Sequence, residues 1–196
     1  MATVLVPCGR RFDNQAGFTV IDLLVGLAIM GVLAALAIPV STKYIINAKA
    51  DSALEATLRA FTNARDRAVA ERRNILISFT ADNLQFNRQE VDSDGNVIGT
   101  TPIAELTLEN GQQFMQFSGV PDTPDAFGAS SATTFNGTPP FMFASDGTLV
   151  DADGDVANAS VFTGVPDEPL TARAVTIFGT TGLVRGWKWR GNRWFK

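Results

Sequence analysis

Residues 17–39 read GFTVIDLLVGLAIMGVLAALAIP, a stretch interrupted by one charge, Asp22. The apolar run from 18 to 40 is 23 residues long, and a bilayer core about 30 Å thick needs about 20 helical residues. Arg10 and Arg11 precede the run and Lys43 alone follows it closely. The bias in basic residues puts the N-terminus in the cytoplasm and everything after residue 40 across the membrane. Two other readings compete. A buried core helix rarely runs this long without a polar face. A secretory signal peptide would use Ala35-Leu36-Ala37 as its cleavage site. Against it, the run exceeds an h-region of about 7–15 residues, it contains Asp22, and the helical pattern continues well past Ala37.

Composition narrows the function classes. The chain has 196 residues, 16 Lys and Arg against 20 Asp and Glu, and no histidine. The commonest general base and metal ligand is therefore missing. The single cysteine, Cys8, sits in the leader and can close neither an internal disulfide nor a metal cluster. No glycine-rich phosphate loop and no Gly-x-Ser-x-Gly elbow is present. An enzyme is not expected, and neither a cofactor nor a metal is called for.

Beyond Pro39 the helical pattern resumes. Ile46, Ala50, Leu54, Leu58, Phe61, Ala64 and Ala68 recur at spacings of three and four and make one apolar stripe. Pro39 lacks an N–H and should kink the helix. From Asn74 the texture changes to short alternating runs: ILISFT (75–80), LQFNRQ (84–89), FMQFS (114–118), FMFAS (141–145), AVTIFG (174–179) and LVRGWKW (183–189). Turn pairs such as Asp82-Asn83, Asp94-Gly95, Asp146-Gly147, Asp153-Gly154 and Thr181-Gly182 separate them. The pattern predicts antiparallel hairpins. The stretch 119–140, rich in Pro, Gly, Ser and Thr, reads as a long loop.

Gly17-Phe18-Thr19, the apolar run and the short basic leader together resemble the cleavage and methylation motif of type IV prepilins. That resemblance implies a membrane peptidase and N-methyltransferase that cuts after Gly17 and methylates Phe18. It also implies pairing of the fifth mature residue with a neighbouring subunit's amine. That residue is usually glutamate and here is Asp22, one methylene shorter. FMFASDGTLVDADGD (141–155) followed by RAVTIFGTTGLVRGWKWRGNRW (173–194) is similar to the end of the GspH/FimT family, the minor pseudopilins of type II secretion systems and minor pilins of type IV pili. The implied fold is α+β, a long N-terminal transmembrane and amphipathic helix docked on a small antiparallel β-sandwich. The implied organisation is a leader (1–17), a membrane half of the helix (18–40), an amphipathic half (41–72) and a periplasmic β-rich domain (73–196), anchored in the inner membrane by one span. The expected function is that of a minor pseudopilin in a type II secretion pseudopilus, with other pilin subunits as partners and an exoprotein as a possible contact. The alternative is a minor type IV pilin that binds nucleic acid during DNA uptake.

Two further features carry opposing readings. VDSDGN (91–96) and VDADGD (150–155) offer carboxylates to calcium, but Asp-Gly between apolar runs is first of all a hairpin signal, and neither stretch has the ligand spacing of an EF-hand loop. The C-terminal tail interleaves Arg185, Lys188, Arg190, Arg193 and Lys196 with Trp187, Trp189 and Trp194. Basic and aromatic residues together bind phosphates and stack on bases. Strict alternation in Trp187-Lys188-Trp189-Arg190 instead fits a strand with its tryptophans packed inward. DNA-capturing relatives of the resembled family carry Gly-Arg-x-Arg at this turn. Here Gly182-Leu183-Val184-Arg185 lacks the first arginine.

Overall fold

The structure is a computed structural model that describes residues 19–80 and 83–196, without the side chains of residues 36–42. Helix α1 spans Val20–Glu71, 52 residues. The chain divides into two compact units, Met1–Thr42 and Lys43–Lys196.

The first unit holds the start of α1, which is capped by its own sequence. Thr19 donates to Asp22 Oδ2 from its backbone N–H at 3.1 Å and from its hydroxyl at 2.7 Å, and its hydroxyl oxygen accepts the Asp22 N–H at 3.3 Å. This is a reciprocal capping box with aspartate in the place of glutamate. Beyond it, Ile21, Leu24, Leu27, Met30 and Leu33 are all exposed.

Among the described residues the second unit carries the rest of the helix and eleven strands. These are β1 (Ile75–Thr80), β2 (Asn83–Val91), β3 (Val97–Thr107), β4 (Gln113–Phe114), β5 (Thr133–Phe135), β6 (Phe141–Phe143), β7 (Leu149–Val150), β8 (Ala159–Val165), β9 (Glu168–Phe178), β10 (Leu183–Trp189) and β11 (Trp194–Phe195). They form two sheets, β3-β2-β1-β6-β7 and β11-β10-β9-β8-β4, with β5 also paired to β8. Every ladder is antiparallel. The α+β class and the helix-on-sandwich plan of this unit match the sequence expectation.

The predicted helical stripe is the face that buries. Leu54, Phe61, Ala64 and Ala68 lie in one core with Ile75 and Phe86 of the first sheet and Val161, Val175 and Ile177 of the second, and Ala50 is fully buried as well. Phe61 meets Phe86 edge-on, with ring centroids 5.6 Å apart. Gly186 of β10 lets the helix come close, because a Cβ there would stand 2.9 Å from Leu58 Cδ1. The helix stops at Arg72, which takes a left-handed φ of 52° while the Arg73 N–H reaches back to the Ala68 carbonyl at 3.2 Å. That is a Schellman stop made without glycine.

A second core lies on the other face of the second sheet. Phe162, Ala172, Ala174, Trp187, Trp189 and Trp194 pack there with Phe117 and Val120 of the segment between β4 and β5. The segment 119–140, predicted as a long loop, is irregular apart from the three residues of β5; the run FMQFS (114–118), predicted as a strand, leaves the ladder after Phe114 and with the start of that loop forms a strap over this sheet. Phe117 fits because β8 has glycine beneath it: a Cβ at Gly164 would stand 2.3 Å from the ring.

The edge strand β3 is exposed along almost its whole length. Its register against β2 passes from Phe86↔Ala104 to Asn87↔Pro102, leaving Ile103 as the extra residue of a bulge. Arg67 Nη1 donates to the Ile103 carbonyl at 3.1 Å.

Candidate functional site

The sequence places its candidate functions at the two ends of the chain. At the first, Gly17 and Phe18, the expected processing residues, lie outside the described residues, as do Cys8 and the leader. Pro39 lies within α1 among the residues whose side chains are not described. Asp22 is described, and its Oδ2 is engaged by Thr19 as above. The side chains around it present apolar surface on every side of the helix rather than along one stripe: between positions 20 and 27, Val20, Ile21, Leu23, Leu24, Val25 and Leu27 are each more than half exposed, and only Asp22 and Gly26 interrupt them. Among the described residues no helical stretch is long and apolar enough to cross a membrane. The described apolar side chains run over residues 20–35, and the expected span of 18–40 extends past them at both ends.

At the C-terminal end, β9 and β10 set the geometry. Alternation puts Trp187 and Trp189 on one face of β10 and Val184, Gly186 and Lys188 on the other. The tryptophans are buried, as the alternation predicts, but the basic residues are not simply solvated. Arg185 shares the tryptophan face and pairs with Asp125 of the strap at 3.0 Å, with its guanidinium 4.3 Å from the Phe178 ring centroid. Lys188 faces the helix and pairs with Asp51 at 3.3 Å. Arg190 and Arg193 lie over the Phe195 ring, and Lys196 lies over Trp187. The five expected cations are thus divided between two faces of a sheet and its end.

Asp125 was not singled out by sequence reasoning, yet it organises the strap. Its carboxylate is largely buried and accepts from the Thr176 hydroxyl at 2.6 Å, Arg185 Nη1 at 3.0 Å and Trp187 Nε1 at 3.0 Å. Trp194 Nε1 donates to the Pro121 carbonyl at 3.0 Å. Two indoles thereby have their N–H groups satisfied by the strap that covers their rings. The sequence signal for such a cover was present: a strand with tryptophans on one face and Val184 and Gly186 on the other has two faces to bury.

The acidic turns resolve as turn chemistry. Asp92 accepts from the N–H groups of Asp94 and Asn96 and from the Asn96 side chain. Asp151 accepts from the N–H groups of Asp153 and Asp155 on one oxygen and Thr138 on the other, at 3.0 Å each. These donors hold both carboxyls below the usual aspartate range, the Asn96 N–H leading at Asp92 and the Thr138 N–H at Asp151. Among the described residues no group of three or more acidic or sulfur ligands converges as a metal site would require.

No family model matches the chain. Solved structures of pilin-type proteins align with it. A structure of the minor pseudopilin EpsH from the type 2 secretion system of Vibrio cholerae does so at TM-score 0.43 and 15% identity, covering 71% of this chain and 97% of that one. The type IV minor pilin FimU of Pseudomonas aeruginosa aligns at TM-score 0.42 and 14% identity, over 75% of this chain and 91% of that one. A second structure of Vibrio cholerae EpsH gives TM-score 0.41 at 14% identity, over 72% and 94%.

Proposed function

We propose that this chain is a non-enzymatic, prepilin-type subunit. It is cut after Gly17, methylated at Phe18, held in the inner membrane by residues 18–40, and built as a minor component into a type II secretion pseudopilus. The observation that carries the reading is the start of α1, where six successive positions on all sides of the helix hold exposed residues and only Asp22 among them is polar. Such a surface needs lipid or neighbouring helices around it. The motif before it supplies the processing step. Asp22, a carboxylate in a segment where charge costs a few kcal/mol, is the group that would meet the methylated amine of a neighbouring subunit. No catalytic constellation is needed for this role, and the partners are other pilin-type subunits, the processing peptidase and the membrane.

Mass spectrometry of protein taken from its native membrane tests the reading. The expected chain begins at N-methylated Phe18. A mature N-terminus at Ile38 would establish the signal-peptide reading in its place. In processed protein, Asp22→Ala should insert as well as the parent and enter filaments less.

A further inference from the structure

Beside the amphipathic half of α1 lies a pocket of about 380 Å³ bounded by Asn47 and Asp51 of the helix, Leu170 and Arg173 of β9, and Lys188 and Arg190 at the end of β10. Three cations meet one carboxylate there. Arg173 is nearly fully buried and fixed. Its Nε donates to Asp51 at 2.8 Å, and its Nη1 donates to the carbonyls of Leu170 and Ala172 at 3.0 and 2.9 Å. Asp51 gives its second oxygen to Lys188. The single carboxylate is therefore shared between two cations, and Arg190 is exposed, lies over the Phe195 ring and, among the described residues, makes no ion pair. The pocket keeps an excess of positive charge at a concave, half-enclosed place, where an incoming anion loses less to solvent screening than on an open surface.

We infer that this pocket binds the phosphate of an anionic phospholipid headgroup. The position of its helical wall favours that source. In the sequence, Asn47 follows the apolar run by seven positions. Between them stand Lys43, Tyr44 and Ile45, all exposed. A basic residue, a tyrosine and an aliphatic side chain in succession are what a helix presents at the level of lipid headgroups. A concave site walled by a helix and a β-strand admits a single headgroup, whereas a DNA duplex presents a convex row of phosphates. The inference rests on the membrane anchorage proposed above. It adds that the folded domain itself grips the membrane surface before assembly, through residues far from the apolar segment in sequence.

The test uses the full chain purified in detergent. Native mass spectrometry reads the lipid retained when phosphatidylglycerol or phosphatidylcholine is added. The parent protein should keep one phosphatidylglycerol in preference to phosphatidylcholine. Arg190→Gln should weaken that retention about fivefold and Lys188→Gln with Arg190→Gln about twenty-five-fold, at about fivefold per cation. Arg59→Gln, which removes an exposed charge elsewhere on the helix, should leave it unchanged. Arg190→Gln alone decides the matter if the double variant melts early, since position 190 is exposed. Equal retention of the two lipids, an equal loss in Arg59→Gln, or displacement of the lipid by inorganic phosphate alone would overturn the inference. So would duplex DNA binding that is lost in Arg190→Gln while lipid retention stays intact. Flotation with vesicles separates the two levels: a chain that never inserts refutes the anchorage, and one that inserts without preferring phosphatidylglycerol refutes only the pocket.

Discussion

The second sheet is buried twice, and its two faces are covered by different means. Towards the helix, Val161, Val175 and Ile177 meet the stripe of α1 and the first sheet. On the opposite face, Phe162, Trp187 and Trp189 meet a strap with no regular structure. Regular elements bring periodic apolar side chains and satisfy their own backbone groups, so the first core needs few polar fastenings. The strap has no ladder of its own and is held at particular points, chiefly the Asp125 carboxylate and the Pro121 carbonyl. One core is a matter of shape and the other depends on individual hydrogen bonds.

The largest expected effect falls on the first core. Phe61 is fully buried between helix and sheet, and Phe61→Ala should cost about 3–5 kcal/mol through the cavity it leaves. Denaturant unfolding should then lose both cores in a single transition. A transition that splits into two, with the tryptophan signal surviving, would show the second core to be independent. Next comes Asp125→Ala, which strands the Arg185 guanidinium and removes one of the two acceptors of the Trp187 indole. It should cost about 1–3 kcal/mol, shift tryptophan emission towards that of exposed indole, and open residues 115–129 to proteolysis while β1 and β2 stay protected. Unchanged proteolysis would mean that packing of Phe117 and Val120 alone holds the strap. The smallest effect is at Asp151. Its carboxyl titrates below the ordinary value of 3.8 because the Thr138, Asp155 and Asp153 N–H groups bond its ionised form. The stabilisation is therefore fully present above about pH 4 and is lost as pH falls through the lowered folded value. Asp151→Asn should be less stable than the parent at neutral pH, and the two denaturation midpoints should converge as the solution is acidified. A constant gap at all pH values would show that the carboxylate charge plays no part.

The same contrast explains what was legible in the sequence. The stripe from Ala50 to Ala68 and the strand 183–189 carry the periods of helix and sheet, and the structure places both as read. β8 was not legible because both its faces are buried and Gly164 interrupts it, so ASVFTGV shows no alternation. β3 was hidden for the opposite reason: VIGTTPIAELT is exposed, mixes apolar and polar residues without alternation, and contains Pro102, which an outer edge tolerates because that position donates nothing to the ladder. The strap was read as a loop from residue 119 on, and there it is one; its first residues, in FMQFS (114–118), were read as a strand because two apolar residues flank a glutamine, yet the ladder ends at Phe114. The need for a cover was visible in the two faces of 183–189, but the segment that supplies it was not, because Phe117, Val120 and Asp125 follow no period and a lone aspartate in PDTPDAFG (121–128) reads as solvated. The acidic turns were legible at once, because Asx hydrogen bonding is local chemistry.

The interrupted edge of β3 bears on how copies of the chain can meet. An exposed strand of eleven residues is a template on which another molecule can add a strand, and repetition of that step leads to fibrous aggregates. Here the template is broken near its middle. Pro102 has no N–H to offer, Ile103 is pushed out of register, and its carbonyl is already taken by Arg67. A foreign strand would find only short stretches on either side of the break. Crowded copies are thereby discouraged from joining through their sheets, and ordered association is left to other surfaces of the molecule.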